Sequence, residues 1–390
     1  MFSSRTNWPL SPNRLSTELE KLKRDGVSLL DLTESNPTHC GFEFDQHSII
    51  AALANPQALS YTPDPRGLLL ARQAVAGYYA ERGIVLDPEQ IFLTTSTSEA
   101  YSYIFRLLTD PGDAILVPQP SYPLFDFLAG LNDIRVIAYP LFYDDGWQID
   151  LSTLEKRLEG RARAILVVHP NNPTGSFVRR DELASLLAFC RQRNMALVAD
   201  EVFADYSLAE QPARVVSHAA VSESLTFTLS GLSKISALPQ LKAAWVVVNG
   251  PAPLLQNALG RLEVIADTYL SLSAPLALAL PTLLETRRTI QPQILRRVKS
   301  NLELLDRQLA DHQLVSRLEI EAGWYAILRL PSIQSDEDWA VELARLDGVL
   351  VHPGHFFDFS SDGHLVISLL TERVVFEEGL TKILARVANS

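Results

Sequence analysis

Between about residue 66 and residue 250 the apolar positions alternate between two textures. Short, nearly continuous runs at Ile91–Thr94, Ala114–Val117, Ile134–Ala138, Ala164–Val168, Met195–Ala199, Leu225–Leu229 and Ala244–Val248 predict seven strands. Between most of them apolar residues recur at three- and four-residue steps. From Glu182 to Arg193, for example, Leu183, Leu186, Leu187 and Cys190 share one face, which predicts a helix. Such alternation predicts an α/β fold whose large unit is a mostly parallel seven-stranded sheet between helices. After residue 275 the texture changes. A long helical stretch to about Asp311, strands within Leu318 to Leu330, a helix from Asp336, strands near Val349 and Leu365, and a helix from Glu372 predict a smaller α+β unit. An N-terminal helix with Leu15, Leu19 and Leu22 on one face ends at Gly26 and is expected to pack with that unit. The expected divisions are 1–45 for an N-terminal arm and part of the small domain, 46–280 for the large domain and 281–390 for the small C-terminal domain.

Composition narrows the function. An apolar fraction of 47% with 21% charged residues is that of a folded chain. The net charge of −12 argues against nucleic acid or an anionic membrane surface as a partner. Cys40 and Cys190 lie in no CxxC pair and build no disulfide framework, so a cytoplasmic location is expected. The N-terminus has no apolar signal region, and the greasiest stretch, Leu276 to Leu284, is short and interrupted by Pro281, so no membrane span is expected.

In an open α/β sheet, ligands bind beyond the carboxyl ends of the strands, so the residues that follow each run carry the chemistry. These are Ser96-Thr97-Ser98, Pro120-Ser121-Tyr122, His169 to Gly175, Asp200, and Ser230 to Lys234. Only seven of the 34 basic residues are lysines, and five of them, Lys21, Lys23, Lys156, Lys299 and Lys382, fall on charged helical faces. Lys234 and Lys242 do not. Lys234 lies in a loop of small residues, where burial lowers an amine's pKa and makes it a nucleophile; a structural lysine is the alternative. Asp200 ends an apolar strand and needs a partner, either a helix cap, a salt bridge or a protonated ring nitrogen. Ser96 with Glu99 predicts a capped helix from Thr97, whose N-terminus is either a bare cap or an anion site. Tyr122 either fills core or stacks on a flat ring. GxGxxG, GxxxxGK[ST], HExxH and GxSxG are absent, which argues against dinucleotide, P-loop, zincin and hydrolase chemistry. No cysteine or acidic pair completes a ligand set with His352, His355 and His364, so no metal is expected.

In this order the segments His169-Pro-Asn-Asn-Pro-Thr-Gly175, Asp200-Glu-Val-Phe203 and Ser230-Gly-Leu-Ser-Lys234 resemble the class I/II aminotransferases among the fold-type I pyridoxal-phosphate enzymes. The likeness runs from Leu32 to the last helix. It implies a pyridoxal 5′-phosphate cofactor in the large domain, bound covalently by Lys234, which then moves the proton between the substrate Cα and the cofactor C4′. Asp200 would pair with the pyridine nitrogen, Asn172 with the phenolic oxygen and a substrate carboxylate, and Tyr122 and Val202 with the two ring faces. Ser96, Thr97, Ser230 and Lys242 would hold the phosphate, with Tyr61 reaching in from the partner of a homodimer with shared active sites. Asn36 and Arg66 complete the expected substrate contacts. The implied reaction is ping-pong transfer of an amino group from an amino acid or amine to a 2-oxo acid.

Four positions depart from the family pattern. Lys242 and Val366 stand where arginines are usual, Ser96 where glycine is usual and Phe203 where tyrosine is usual. The arginine at position 366 of similar enzymes clamps the substrate carboxylate, and valine binds no anion. Either another cation such as Arg66 replaces it, or the register differs, or the substrate lacks a carboxylate there. The alternative function is a lyase, decarboxylase or oxidase of the same fold.

Overall fold

The computed structural model describes all residues except 152, 153, 155–157 and 159. Lys156, expected on a charged helical face, lies outside the described residues. The chain opens with the helix Arg14–Arg24 and a short strand β1 (Leu30–Asp31). Eight strands then form one sheet: β2 (Ile91–Thr94), β3 (Ala114–Gln119), β4 (Arg135–Tyr143), β5 (Trp147–Ile149), β6 (Ala162–Val168), β7 (Ala196–Asp200), β8 (Thr226–Gly231) and β9 (Ala244–Asn249). Their spatial order is β2-β9-β8-β7-β6-β3-β4-β5. From β8 through β4 the neighbours are parallel, while β9 runs antiparallel to β2 and β8. All seven predicted strands are present. The eighth, β5, is a short antiparallel return against β4, and three residues are too few to give a periodic signal.

Strand pleating sends successive residues to opposite faces. In β6, Ala164, Leu166 and Val168 join a core with Phe105, Phe227 and Leu262, while Ile165 and Val167 join one with Leu186, Leu187 and Cys190. Both faces of the sheet are therefore dry, which is why these strands read as continuous apolar runs. Each fully buried large apolar side chain contributes about 1.5–3 kcal/mol.

Beyond the sheet, the predicted long helix is two, Ala274–Glu285 and Arg287–Leu309. At the junction the Thr286 hydroxyl donates to the Leu283 carbonyl (2.7 Å), a local bond that competes with helix continuation. A second sheet has the order β10 (Ser316–Arg317), β11 (Tyr325–Arg329), β14 (His364–Ser368), β13 (His352–Pro353). β1 pairs in parallel with β12 (Val349–Leu350), and Leu15, Leu22 and Leu32 share a core with Leu304, Trp324, Trp339 and Ile383. The chain's two ends thus pack together. No single helix among the described residues is long and apolar enough to cross a membrane.

Candidate active site

The carboxyl ends of β3, β6, β7 and β8, with the turn after β2, open on one cavity of about 360 Å³. Thr95, Ser96 and Thr97 enter it after β2, Tyr122 after β3, Asn172 after β6, Asp200 at the end of β7, and Ser233 and Lys234 after β8. Val202, Lys242, Phe203, Ser35, Tyr101 and Tyr325 complete its wall.

Local geometry explains each placement. Ser96 caps the helix Thr97–Leu108, its Oγ accepting the Glu99 N–H (3.2 Å), so free N–H groups of the first turn face the cavity. Gly231 is confined because a Cβ there would lie 2.9 Å from the Ala243 carbonyl oxygen, and this close approach seats the Lys234 turn on the strand leading to Lys242. Gly175 has φ +70°, and a Cβ would meet the Ala322 carbonyl at 2.3 Å. This packs the Asn171–Gly175 turn against the segment carrying Trp324. Lys242 itself adopts a left-handed conformation (φ 55°) and forms no ion pair among the described residues. A non-glycine residue held there is the kind of strain that binding sites retain.

The Lys234 Nζ lies 4.7 Å from the Trp324 ring centroid and 5.2 Å from that of Phe203. Burial pulls its pKa down to about 8, with the Asp200 charge acting the other way. The Tyr206 hydroxyl fixes the turn by donating to the Lys234 carbonyl (2.6 Å). Asp200 is buried. Its Oδ1 accepts the Val202 N–H (3.1 Å) and its Oδ2 the Tyr101 hydroxyl (3.0 Å). Burial pushes this carboxyl up to about 6, and the two hydrogen bonds partly offset that rise. Asn172 has a buried Oδ1 with no partner among the described residues. An orphaned acceptor of this kind needs a donor from a ligand.

Four expected residues lie outside the cavity. Ser230 is buried behind its wall, where Oγ donates to the Glu201 carbonyl (3.3 Å), and Ser233 faces the cavity in its stead. Arg66 places its guanidinium on Glu263 (2.6 Å) and Glu89 (2.9 Å) and stacks on Phe92, so its charge is already matched and it does not substitute for an arginine at 366 within its own chain. Asn36 turns its Oδ1 to the backbone and hydroxyl of Thr38, and its neighbour Ser35 lines the wall. Tyr61 is 81% exposed on a separate cleft with Leu270 and Ser271. Val366 is fully buried in an apolar cluster with Trp147, Leu318, Ile327 and Phe357. Tyr101 and Ser35 went unnoticed in the sequence. For Tyr101 a signal existed, since it lies one helical turn after Thr97 and so shares its face.

Three buried groups, His169, Glu201 and His218, come within metal-binding distance of one another. His169 accepts the Val178 N–H at Nδ1 and donates to the Val215 carbonyl from Nε2 (both 2.9 Å), so neither nitrogen is free for an ion.

The family model described as aminotransferase class I and II matches residues 28–382. The chain is a class I/II aminotransferase. It is 27% identical over 378 residues to the glutamate-pyruvate aminotransferase AlaA of Haemophilus influenzae, covering 94% of this chain and 92% of the relative. It is 28% identical over 356 residues to the alanine aminotransferase of Mycobacterium tuberculosis, covering 88% and 82%. The fold superposes on an aminotransferase from Escherichia coli with a TM-score of 0.85 at 25% identity, covering 100% of this chain and 98% of the other. An alanine aminotransferase from Pyrococcus furiosus gives 0.89 at 20% identity over the full length of both, a likeness of fold. This aminotransferase depends on pyridoxal phosphate and acts on amino and keto acids, and its relatives favour transamination over lyase, decarboxylase or oxidase chemistry. The cavity fits the cofactor, offering an amine for the aldehyde, a buried carboxylate for the ring nitrogen, an orphaned amide for the phenolic oxygen and a helix N-terminus for the phosphate.

An amine titrating near 8 reacts only when deprotonated, so cofactor uptake by the aminotransferase has a pH dependence of known sign. The rate at which stripped protein regains visible absorption on adding pyridoxal phosphate is expected to rise as pH passes upward through about 8, then level off. Stopped-flow spectroscopy from pH 6 to 10 measures it, and a rate flat across that range counts against Lys234 as the attacking amine.

Proposed function

We propose that the cavity binds pyridoxal phosphate with Lys234 as the attachment point and proton carrier, and that the enzyme exchanges amino groups between an amino donor and a 2-oxo acid. The carrying observation is that the low-pKa amine of Lys234 and the buried carboxylate of Asp200 share a cavity headed by the capped helix N-terminus at Thr97. Asp200 holds the proton on the ring nitrogen, Asn172 orients the phenolic oxygen, and Tyr122 and Val202 bracket the ring. Ser96, Thr97, Ser233 and Lys242 bind the phosphate. When bound, the ring draws electrons from the substrate's Cα. Lys234 then takes the Cα proton and returns it at C4′, and the apolar wall of Phe203, Val202 and Leu238 excludes water from that transfer.

Alanine and glutamate, as donors named in the curated relatives, with pyruvate as an acceptor, are the first substrates to try. The holoenzyme is mixed with each donor and the spectrum followed. Conversion of the lysine-bound cofactor to its amino form, reversed by a 2-oxo acid, is expected. Release of ammonia or carbon dioxide without that conversion overturns the proposal. The homodimer and the cytoplasmic location belong to the same reading, supported by exposed Tyr61 with Leu59 and by two buried, unpaired cysteines. So does the division at residues 45 and 280, supported by the core shared between the chain's ends.

Lys242→Ala is expected to lose cofactor on dialysis about 10-fold faster or more, while Lys242→Arg retains it, because a charge-assisted bond to phosphate contributes about 1.5–3 kcal/mol. Equal retention in both would remove Lys242 from the phosphate.

A further inference from the structure

We infer that Tyr101 is a positioning residue that keeps the shared proton on the cofactor's ring nitrogen by holding Asp200 as a weak base. The inference rests on the reading of Asp200 as the partner of that nitrogen. Tyr101 lies on the helix Thr97–Leu108, one turn beyond the proposed phosphate contacts, and its hydroxyl donates to Asp200 Oδ2 at 3.0 Å. The ring is 2% exposed and clamped edge-on by Phe125 (5.4 Å, 85°) with Phe105 tilted behind it (5.8 Å), so the hydroxyl has one available direction. The other carboxylate oxygen accepts the Val202 N–H, so each oxygen of Asp200 has one donor from the protein.

The titratable groups facing Asp200 are Tyr101, Lys234 and Glu201. Glu201 points the other way, accepting from the Ser217 hydroxyl (2.6 Å) and from the backbone N–H and Nδ1 of His218 (2.6 and 2.9 Å). Lys234 is committed to the cofactor in the holoenzyme. Tyr101 alone remains as a neutral donor whose only role at the carboxylate is the hydrogen bond. Burial, followed by the charge of Asp200, raises its phenol well above the ordinary 10, so it stays protonated and donating across the working pH range.

The chemistry follows from acid–base balance. A carboxylate with two hydrogen-bond donors is a weaker base than one with a single donor. Removing the Tyr101 hydroxyl raises the basicity of Asp200, and the proton between carboxylate and ring nitrogen moves toward the carboxylate. The ring then loses its positive charge and its pull on the substrate's Cα electrons.

Holoenzyme loaded with pyridoxal phosphate labelled with ¹⁵N in the ring reports this directly, because the nitrogen resonance separates protonated from unprotonated ring. In the wild type the ring is expected to stay protonated to high pH. In Tyr101→Phe the nitrogen resonance at a fixed neutral pH is expected to move toward its unprotonated value, since a hydrogen bond to a charged group corresponds to about a 10-fold change in the equilibrium of the shared proton. Visible absorption of the lysine-bound cofactor should persist. An unchanged nitrogen resonance overturns the inference and makes Tyr101 a packing residue. If Tyr101→Phe fails to fold, fluorotyrosine placed at 101 decides, because its more acidic phenol strengthens the same bond at nearly the same shape. A resonance moved toward the protonated value supports the inference, and an unmoved one overturns it. Asp200→Asn separates the underlying reading, since a ring still protonated in that variant shows that Asp200 is not the nitrogen's partner whatever Tyr101 does.

Discussion

Lys234→Ala is expected to yield a protein that folds, binds pyridoxal phosphate weakly and lacks the visible absorption of the lysine-bound form. Lys234 is the only lysine in the cavity apart from Lys242, which lies at its exposed edge, so no second buried amine is positioned to attach the cofactor. Two losses combine. The covalent anchor is gone, and so is the base that carries the proton between Cα and C4′, a role worth about 10²- to 10⁴-fold in rate. Transamination should therefore fall by at least about 10³-fold, with partial rescue by small primary amines. Absorption spectra after dialysis against cofactor, together with single-turnover rates on a donor amino acid, measure both. A variant that remains coloured and active would move the chemistry to another amine.

Asp200→Asn is the second large effect. The side chain keeps its shape, and its single amide oxygen can still accept the Val202 N–H, with its NH2 then turned toward the Tyr101 hydroxyl oxygen. The charge that holds a proton on the ring nitrogen is lost. Breaking a buried charge pair costs about 3–5 kcal/mol, which places the expected loss in the first half-reaction at about 10²- to 10⁴-fold. Colour should persist because Lys234 is intact. That split, cofactor attached but unable to withdraw electrons, distinguishes Asp200 from Lys234. A half-reaction at the wild-type rate would give Asp200 a structural role only.

The sheet was legible because its strands are dry on both faces, so Ala164–Val168 and Ala244–Val248 are uninterrupted apolar runs. The seven-strand expectation missed β5, whose three residues pair only through β4. The break at Thr286 that divides the long helical stretch into two helices leaves no mark in hydrophobic spacing. In the site, Ser96, Thr97, Tyr122, Asn172, Asp200, Val202 and Lys234 beyond the carboxyl ends of strands, and Lys242 just before β9, all line one cavity. Side-chain direction was not legible. Ser230 turns its hydroxyl to the Glu201 carbonyl, and Arg66 is taken up by Glu89 and Glu263, which lie 23 and 197 positions away in the chain.

The absence of an arginine at 366 acquires a physical setting from the same packing. Val366 pairs across β14 with Ile327 and His352 and closes an apolar cluster with Trp147 and Phe357. No arginine lines the cavity among the described residues. A substrate carboxylate would meet the Asn172 amide and the hydroxyls of Ser35 and Tyr325 there.

By itself, the sequence determined the α/β class, the strands of the large sheet, the family, and the short list of groups able to do amine chemistry. These are set by local periodicity and by residue type, which survive in one dimension. Only the tertiary structure decided which of those groups share a cavity, that Tyr101 rather than a charged residue supports Asp200, and that Arg66 and Ser230 are engaged elsewhere. Those outcomes depend on where a side chain finds its partner, and hydrogen bonds and ion pairs form between atoms that are close in space at any separation along the chain.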